Sequence, residues 1–158
     1  MGTRAKAALL ALAAVVAGVI LVWKLAPDRR PAEQQILETL MQIQKAVEGK
    51  SLRGTMRHVS ESYRDSDCEN KRELTQLAVG GFQERGDFHL VLQAGRPDVQ
   101  GSRASLDIQV DFSVDKGQSL HRVQPFTVHT QWAREKGKWK ITRAEGYWEA
   151  SEALEPGA

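Results

Sequence analysis

The sequence predicts an α+β domain that follows a single transmembrane helix. Residues 7–23 contain no charged or polar side chain, which is typical of a membrane-spanning segment. From residue 32 to residue 82 the apolar residues recur at helical spacing, and from residue 88 onward they alternate with polar residues as in β-strands. A chain of 158 residues has room for one ordinary domain. This order predicts helices packed against one face of a curved antiparallel sheet.

The apolar segment, residues 7–23, reads AALLALAAVVAGVILVW. A helix of these 17 residues is roughly 25 Å long, enough to cross the hydrocarbon core with slight thinning. Residues 1–6 form a short basic flank with Arg4 and Lys6, while Trp23 and Lys24 suit the interface between lipid and water. We therefore expect the chain to be held in a membrane as a single-pass protein.

A cleavable signal peptide is the main alternative, since a basic flank is typical of one as well. The segment ends in Val22, Trp23 and Lys24, where a signal peptide needs small residues, and Pro27 disfavours cleavage after Ala26. An uncleaved anchor is therefore favoured, and a secreted domain with a cleaved N-terminus is the alternative. Because a short flank precedes a large C-terminal domain, that domain is expected outside the cytoplasmic membrane.

The net charge of +2 and the pI near 8.8 originate in the flanks of the anchor. Five of the 22 basic residues and one of the 20 acidic residues precede residue 31, so the remainder has a net charge of −2. A domain so close to neutral lacks the basic surface that nucleic acid requires, and we expect no nucleic-acid partner. The single cysteine, Cys68, excludes an internal disulfide framework.

The helices come first in the predicted domain, residues 32–150, after a linker over residues 24–31 that contains two prolines. The first helix is predicted over residues 32–48, with its apolar stripe formed by Ile36, Leu40, Ile43 and Val47. Ser51 can cap a second helix, whose apolar face carries Leu52, Met56, Val59 and Tyr63. Ser66 or Asp67 can cap a third, which carries Leu74, Leu77, Ala78 and Phe82.

The strands follow, and the clearest of them covers residues 104–114. Ala104, Leu106 and Ile108 begin an apolar row that alternates with polar residues to the end of that strand. Similar alternation predicts strands over residues 88–93, 126–132 and 139–143, separated by turns that contain glycine or proline. Residues 151–158 show no pattern and are expected to be a flexible tail.

Three stretches resemble the NTF2-like superfamily, the cystatin-like and SnoaL-like group of α+β cones. They are the opening helix, the phrase HVSESYRDSDCENKRELTQLAVGGF at residues 58–82 and the closing phrase GKWKITRAEGYW at residues 137–148. The resemblance implies a curved sheet wrapped around a long helix, often with a pocket inside the cone. Such domains include isomerases, dehydratases and cyclases, and also non-catalytic binding or assembly domains, some of them tethered to membranes in secretion systems. Together with the predicted anchor, the resemblance implies a bacterial inner-membrane protein whose domain is periplasmic or otherwise extracytoplasmic.

A non-catalytic domain is the preferred hypothesis, because the strand at residues 104–114 presents an entirely apolar inner face. It is expected to bind a protein partner or a small apolar ligand in the cell envelope. The alternative is an isomerase or dehydratase with His58 and Tyr63 as an acid/base pair and Arg143 as an anion anchor. These three residues and Trp148 are the candidate ligand-binding residues. No cofactor is expected, and no metal, because the four histidines lack ligand spacing.

The polar face of the sheet is the second candidate surface. Alternation places a row of polar side chains opposite the predicted core, and its members are Asp107, Gln109, Asp111, His129 and Gln131. Sheet faces of this kind are often dimer interfaces in the resembling family. The row is therefore the predicted interface for a homodimer or for another envelope protein.

An intact anchor predicts that the mature protein keeps its full length in the membrane. The purified protein is expected to have a mass of 17.6 kDa and to stay in the membrane fraction after alkaline carbonate extraction. Intact-mass spectrometry of the extracted protein checks both points. A mature form that begins near residue 27 and appears in the soluble fraction would contradict the anchor.

Overall fold

The computed structural model describes residues 30–147, which form three helices and a six-stranded antiparallel sheet. The helices are α1 (Ala32–Glu48), α2 (Leu52–Met56) and α3 (Lys71–Phe82). The strands are β1 (Asp87–Ala94), β2 (Asp98–Gln100), β3 (Arg103–Asp115), β4 (Leu120–Arg122), β5 (Phe126–Glu135) and β6 (Lys138–Glu145). The predicted α+β class, with helices packed on an antiparallel sheet, is confirmed.

The predicted membrane anchor, residues 7–23, lies outside the described residues. The same holds for most of the predicted linker and for the predicted tail, residues 151–158. Among residues 30–147, no helix is long and apolar enough to cross a membrane.

Helix α1 forms over the predicted residues, because its apolar stripe is buried against the sheet. Ile36 is fully buried and Leu40 is nearly so. The N–H of Gly49 donates to the carbonyl oxygen of Lys45 at 3.0 Å, which closes the last turn. At the start of the helix, Gln35 Nε2 donates to the carbonyl oxygen of Arg30 at 2.7 Å. This contact ties the entering chain to the first turn.

The second helix is short and ends before Val59 and Tyr63, so its predicted extension to Tyr63 is wrong. Helix α2 ends at Met56, and the chain then runs beside β6. The N–H of Ile141 donates to the carbonyl oxygen of His58, and the N–H of Ser60 donates to the carbonyl oxygen of Ile141, both at 2.9 Å. These hydrogen bonds to a strand replace those of a further helical turn.

Helix α3 begins later than predicted because a side chain closes the turn before it. Asp65 Oδ1 accepts the backbone N–H of Asp67 at 2.7 Å and that of Cys68 at 2.6 Å, as in an Asx turn. Residues 66–69 are therefore not helical, and the predicted caps at these positions are wrong. The cap is Asn70, whose side chain accepts the N–H of the third residue ahead at 3.1 Å.

Strand β3 is the central strand of the sheet, since it pairs with β1, β2, β4 and β5. Its predicted alternation is confirmed: Leu106 and Ile108 are each 3% exposed, whereas Asp107 between them is exposed to solvent. The large side chains of Trp132 on β5 and Trp139 on β6 complete this core. Strands β2 and β4 were not predicted, because three residues are too few to show an alternating pattern.

Strands β1 and β6, at the two ends of the main strand order, receive hydrogen bonds from outside the sheet. The strand order β1-β3-β5-β6 leaves β1 and β6 at the edges. On β1, the N–H of Leu90 donates to Glu48 Oε1 at 2.9 Å, and its carbonyl oxygen accepts from Gln44 Nε2 at 2.6 Å. On β6, Ile141 is paired with residues 58–60 as described above. Helix α1 and the 58–60 segment thus satisfy backbone groups that an edge strand leaves open.

Gly146 bends the chain as it leaves β6, and no other residue fits there without strain. Its φ is +93°, and a Cβ would lie 2.4 Å from the carbonyl oxygen of Thr127. Gly146→Ala is therefore expected to lower the free energy of unfolding by about 2 kcal/mol or more. Chemical denaturation measures this change.

Gly101→Ala is the matched control. Gly101 also has a positive φ, +63°, but its Cβ would meet open space. The expected cost is roughly 1 kcal/mol, which is the cost of the left-handed conformation alone. Equal losses in the two variants would contradict the steric argument.

Candidate functional site

The helices and the inner face of the sheet enclose a cavity of about 340 Å³, here called the cone cavity. Its walls are aliphatic and aromatic side chains, chiefly Leu40, Ile43 and Val47 of α1, Leu74, Leu77, Ala78 and Phe82 of α3, and Leu90, Leu92, Ile108, Val110, Phe126, Val128 and Ile141 of the sheet. None of the side chains that line it carries a formal charge. The cavity exists because the apolar faces of α1, α3 and the sheet do not meet completely.

Four hydroxyl groups line the cone cavity, on Thr55, Tyr63, Thr130 and Tyr147. Both threonines are engaged with the backbone. Thr130 Oγ1 donates to the carbonyl oxygen of Leu106 at 2.7 Å, and Thr55 Oγ1 donates to that of Ser51 at 3.0 Å. The polar character of the cavity therefore depends on the two tyrosines.

The two tyrosines meet at one carboxylate and form, with Cys68, the group that we call the tyrosine–aspartate cluster. The hydroxyl of Tyr63 donates to Asp65 Oδ2, and that of Tyr147 donates to the same oxygen at 2.6 Å. The other oxygen, Oδ1, accepts the two backbone N–H groups of the Asx turn. Asp65 thus accepts four hydrogen bonds and is 8% exposed. A carboxylate with four donors is satisfied within the fold.

The pKa values of the cluster keep the carboxyl charged and the phenols protonated. Burial acts to raise the pKa of Asp65, but the hydrogen bonds from Tyr147, Tyr63 and the backbone outweigh it and hold the pKa below its ordinary value. Burial raises the pKa of both tyrosines far above 10, and their hydrogen bonds to Asp65 raise it further. At neutral pH the cluster therefore consists of one carboxylate and two neutral phenols.

Cys68 completes the cluster as a buried thiol. Its Sγ lies 3.7 Å from the hydroxyl oxygen of Tyr147, and the residue is 3% exposed. Burial raises the pKa of the thiol, so the reactive thiolate is disfavoured. Within residues 30–147 no group of three His, Cys, Asp or Glu side chains could hold a metal ion.

The predicted ligand-binding residues do not share one site. Tyr63 lines the cone cavity and is 2% exposed. His58 lines a different pocket, between α1 and the start of β6. Arg143 points from the opposite face of β6 and donates from Nε to Glu145 Oε1 at 2.7 Å. Trp148 lies outside the described residues. The structure therefore does not assemble His58, Tyr63 and Arg143 around a common ligand.

The predicted interface residues lie together on the outer face of the sheet, and all but Asp111 are largely exposed. Asp107 Oδ1 lies 2.8 Å from Nδ1 of its cross-strand neighbour His129. Asp111 forms an ion pair with Arg122 of β4. Gln109 lies between these pairs, and Gln131 lines an open groove of about 450 Å³ beside β2. Their role as an interface remains a prediction.

Two members of the tyrosine–aspartate cluster, Asp65 and Tyr147, were missed by reasoning from the sequence. Asp65 closes the turn before α3, and its side chain is buried. Tyr147 lies 82 residues away, inside the closing phrase that resembles the NTF2-like superfamily. The spacing of Tyr63 and Asp65, two positions apart, was the available signal in the sequence. That spacing does not identify Tyr147, the distant partner.

Solved structures with the same architecture show that this chain has the NTF2-like, cystatin-like α+β fold. An NTF2-like protein of unknown function from Pseudomonas putida aligns with 72% of this chain and 83% of its own, at 13% identity and a TM-score of 0.58. A putative dehydratase of the NTF2-like family from Streptomyces avermitilis aligns over 71% and 91%, at 11% identity and a TM-score of 0.61.

A putative aromatic ring hydroxylase from Novosphingobium aromaticivorans aligns with 77% of this chain and 99% of its own, at 14% identity and a TM-score of 0.63. Identities this low establish a common fold and no common activity. No protein-family model and no curated protein matches the sequence.

The chain has only two tyrosines, and both belong to the tyrosine–aspartate cluster, so their ionisation can be followed directly. Because folding raises the pKa of both phenols, the native protein is expected to show no phenolate absorbance at 295 nm at about pH 11. In concentrated guanidinium chloride the same absorbance should appear with a midpoint near pH 10. An ordinary midpoint in the folded protein would contradict the hydrogen bonds to Asp65. Near-ultraviolet circular dichroism at each pH confirms that the protein is still folded.

Proposed function

We propose that this chain is a membrane-anchored, non-catalytic NTF2-like binding domain of the bacterial cell envelope, and that its cone cavity takes up a small apolar ligand. The observation that carries the proposal is the lining of the cone cavity, which holds no charged side chain. Ligand sites are mostly apolar, with a few polar groups that orient the ligand.

The size of the cone cavity favours a compact ligand. Its volume of about 340 Å³ lies near the lower end of the roughly 300–1,000 Å³ that small-molecule sites occupy. Each square ångström of apolar surface removed from water contributes about 25 cal/mol, so an apolar ligand gains affinity from contact area alone. A hydrocarbon ring system or a short chain fits this description.

The tyrosine–aspartate cluster favours binding over catalysis. A general base near neutral pH needs a pKa near 7, whereas the carboxyl of Asp65 has a lowered pKa and four donors already. The hydroxyl protons of Tyr63 and Tyr147 are directed at Asp65 and not at a ligand. The alternative of an isomerase or dehydratase also needs His58 and Arg143 near Tyr63, and they lie elsewhere.

Membrane attachment would suit a protein that handles an apolar ligand. The apolar segment at residues 7–23 ends only a short linker before α1, so the cone would be held close to the bilayer. An apolar molecule is concentrated in the bilayer, and the domain would receive it there. The outer face of the sheet, with Asp107 and His129, stays available for a second copy or an envelope protein.

Isoleucine methyl groups report on ligand uptake. Ile43, Ile108 and Ile141 line the cone cavity, while Ile36 is buried in the core and does not line it. The full-length chain, labelled with 13C at isoleucine methyls and held in dodecyl maltoside, is titrated with naphthalene. Methyl resonances of the three lining residues are expected to shift and saturate, because an aromatic ring then lies against them. Those of Ile36 should stay in place, and Ile20 reports on naphthalene dissolved in the micelle.

Substitutions on α3 provide the matched pair. Ala78→Phe places a ring inside the cone cavity and is expected to weaken naphthalene binding at least tenfold, since the space is filled. Val79→Phe puts the same ring at the neighbouring position, which is exposed and does not line the cavity, and binding should be retained. Shifts at Ile36 equal to those of the lining residues, or equal binding by both variants, would contradict the proposal.

A further inference from the structure

A second cavity, of about 440 Å³, lies apart from the cone cavity at the start of α1 and is here called the basic pocket. Its lining includes six charged or titratable side chains, those of Arg30, Glu38, Arg57, His58, Lys138 and Lys140. The other lining residues are Gln35, Thr39, Gln42, Gly137 and Trp139. Of the six titratable side chains, four carry a full positive charge and one carries a negative charge. The negative charge, on Glu38, is paired with Arg30. The remaining lining therefore has three positive charges in excess.

The excess charge converges on His58. Arg57 Nε donates to His58 Nε2 at 3.0 Å, which requires a neutral imidazole that accepts. Burial lowers the pKa of His58 to about 4, and the positive charges of Arg57, Lys140 and Lys138 act in the same direction. Each of the three cations therefore lies near enough to the ring to disfavour its protonation.

Trp139, one of the lining residues, has a hydrogen-bond donor without a partner among the described residues. The residue lines the basic pocket and is 3% exposed. Its indole Nε1–H is buried and has no acceptor among the described residues. A buried donor without an acceptor costs about 1–3 kcal/mol, so native proteins rarely keep one without a reason.

We propose that the basic pocket binds a phosphate group. A phosphate brings negative charge to Arg57, Lys138 and Lys140, and its several acceptor oxygens suit both the guanidinium and the ammonium groups. A further acceptor near Trp139 would satisfy the indole donor. The pocket shares no lining residue with the cone cavity, so phosphate binding here does not depend on ligand uptake there, and only the lipid source considered below rests on the proposed anchor.

The phosphate group has two candidate sources, because the basic pocket is close in sequence to the predicted anchor. Arg30 lines the pocket and is seven residues from Trp23, the end of the apolar segment. A chain of seven residues spans at most about 25 Å, which brings the pocket within reach of the bilayer surface. The phosphate can therefore belong to a lipid headgroup or to a soluble molecule, and the chemistry of recognition is the same.

Inorganic phosphate is the first probe, with the full-length chain in dodecyl maltoside. Two-dimensional NMR of the imidazole and indole groups follows His58 and Trp139, assigned with the variants His58→Asn and Trp139→Phe. Phosphate is expected to raise the pKa of His58 from about 4 toward its ordinary value of 6.5 and to shift the indole N–H resonance of Trp139. Sodium chloride at equal ionic strength, which only screens charge, should produce the smaller change.

Two lysine variants test the site. The double variant Lys138→Gln/Lys140→Gln is expected to bind phosphate at least tenfold more weakly, because two of the three excess charges are gone. Lys136→Gln is the control: it makes the same substitution once in the same hairpin and so removes one positive charge, at a position that does not line the pocket. Its affinity for phosphate should equal that of the unaltered protein.

Nanodiscs distinguish the two sources. If the same resonances of the full-length chain move in phosphatidylglycerol nanodiscs without added phosphate, and not in phosphatidylcholine nanodiscs, the ligand is an anionic headgroup. If they respond only to added inorganic phosphate, the ligand is a soluble phosphate. The proposal is overturned if neither probe moves His58 and Trp139 beyond the sodium chloride control, or if the lysine double variant responds as strongly as Lys136→Gln.

Discussion

The buried carboxylate of Asp65 is the interaction on which the site region depends. It accepts hydrogen bonds from two tyrosines and two backbone N–H groups; three of these donors lie within three residues of Asp65, and the fourth, Tyr147, lies 82 residues further along the chain. One carboxylate oxygen closes the turn before α3, and the other joins the two tyrosines that line the cone cavity. Removal of this charge would leave two buried phenols without an acceptor and an open turn before α3. The geometry of the cavity rim therefore follows from a single ionised group.

The two cavities of this domain have opposite characters, although α1 and β6 contribute to both. The cone cavity uses the apolar stripe of α1 and contains no charge. The basic pocket uses polar positions at the start of the same helix and three uncompensated cations. One amphipathic helix can line both cavities, because its apolar side chains lie on one face and its polar side chains on another. The fold shared with dehydratase-like and NTF2-like proteins thus carries, in this chain, one apolar and one basic recess.

The sequence pattern correctly predicted those helices and strands whose local preference agrees with the way they pack in the fold. Helix α1 and strand β3 match their predicted positions, because one apolar stripe and one alternating row are each buried as a unit. The second helix deviates because Ile141, which is distant in the sequence, binds the backbone of residues 58–60, and the third deviates because the side chain of Asp65 closes an Asx turn before it. The first of these contacts depends on the finished fold, and spacing along the chain does not reveal it.

The candidate site was predictable to a smaller extent for the same reason. Tyr63 was identified from the sequence as a candidate, but its partner Tyr147 is 84 positions away. Only the fold brings the two hydroxyls to one carboxylate. His58 was identified as well, yet it faces the cations of the basic pocket and not Tyr63. A single sequence indicates which side chains have useful chemistry, and the topology decides which of them meet.

The hydrogen bonds on β1 and β6 have a consequence for the protein at high concentration. A strand edge with open backbone groups can pair with a strand of another copy, and such pairing leads toward β-aggregation. Gln44 and Glu48 occupy the backbone groups of Leu90 on β1, and residues 58–60 occupy those of Ile141 on β6. At these two positions the backbone presents no free N–H group to a second copy, so edge-to-edge pairing is disfavoured there.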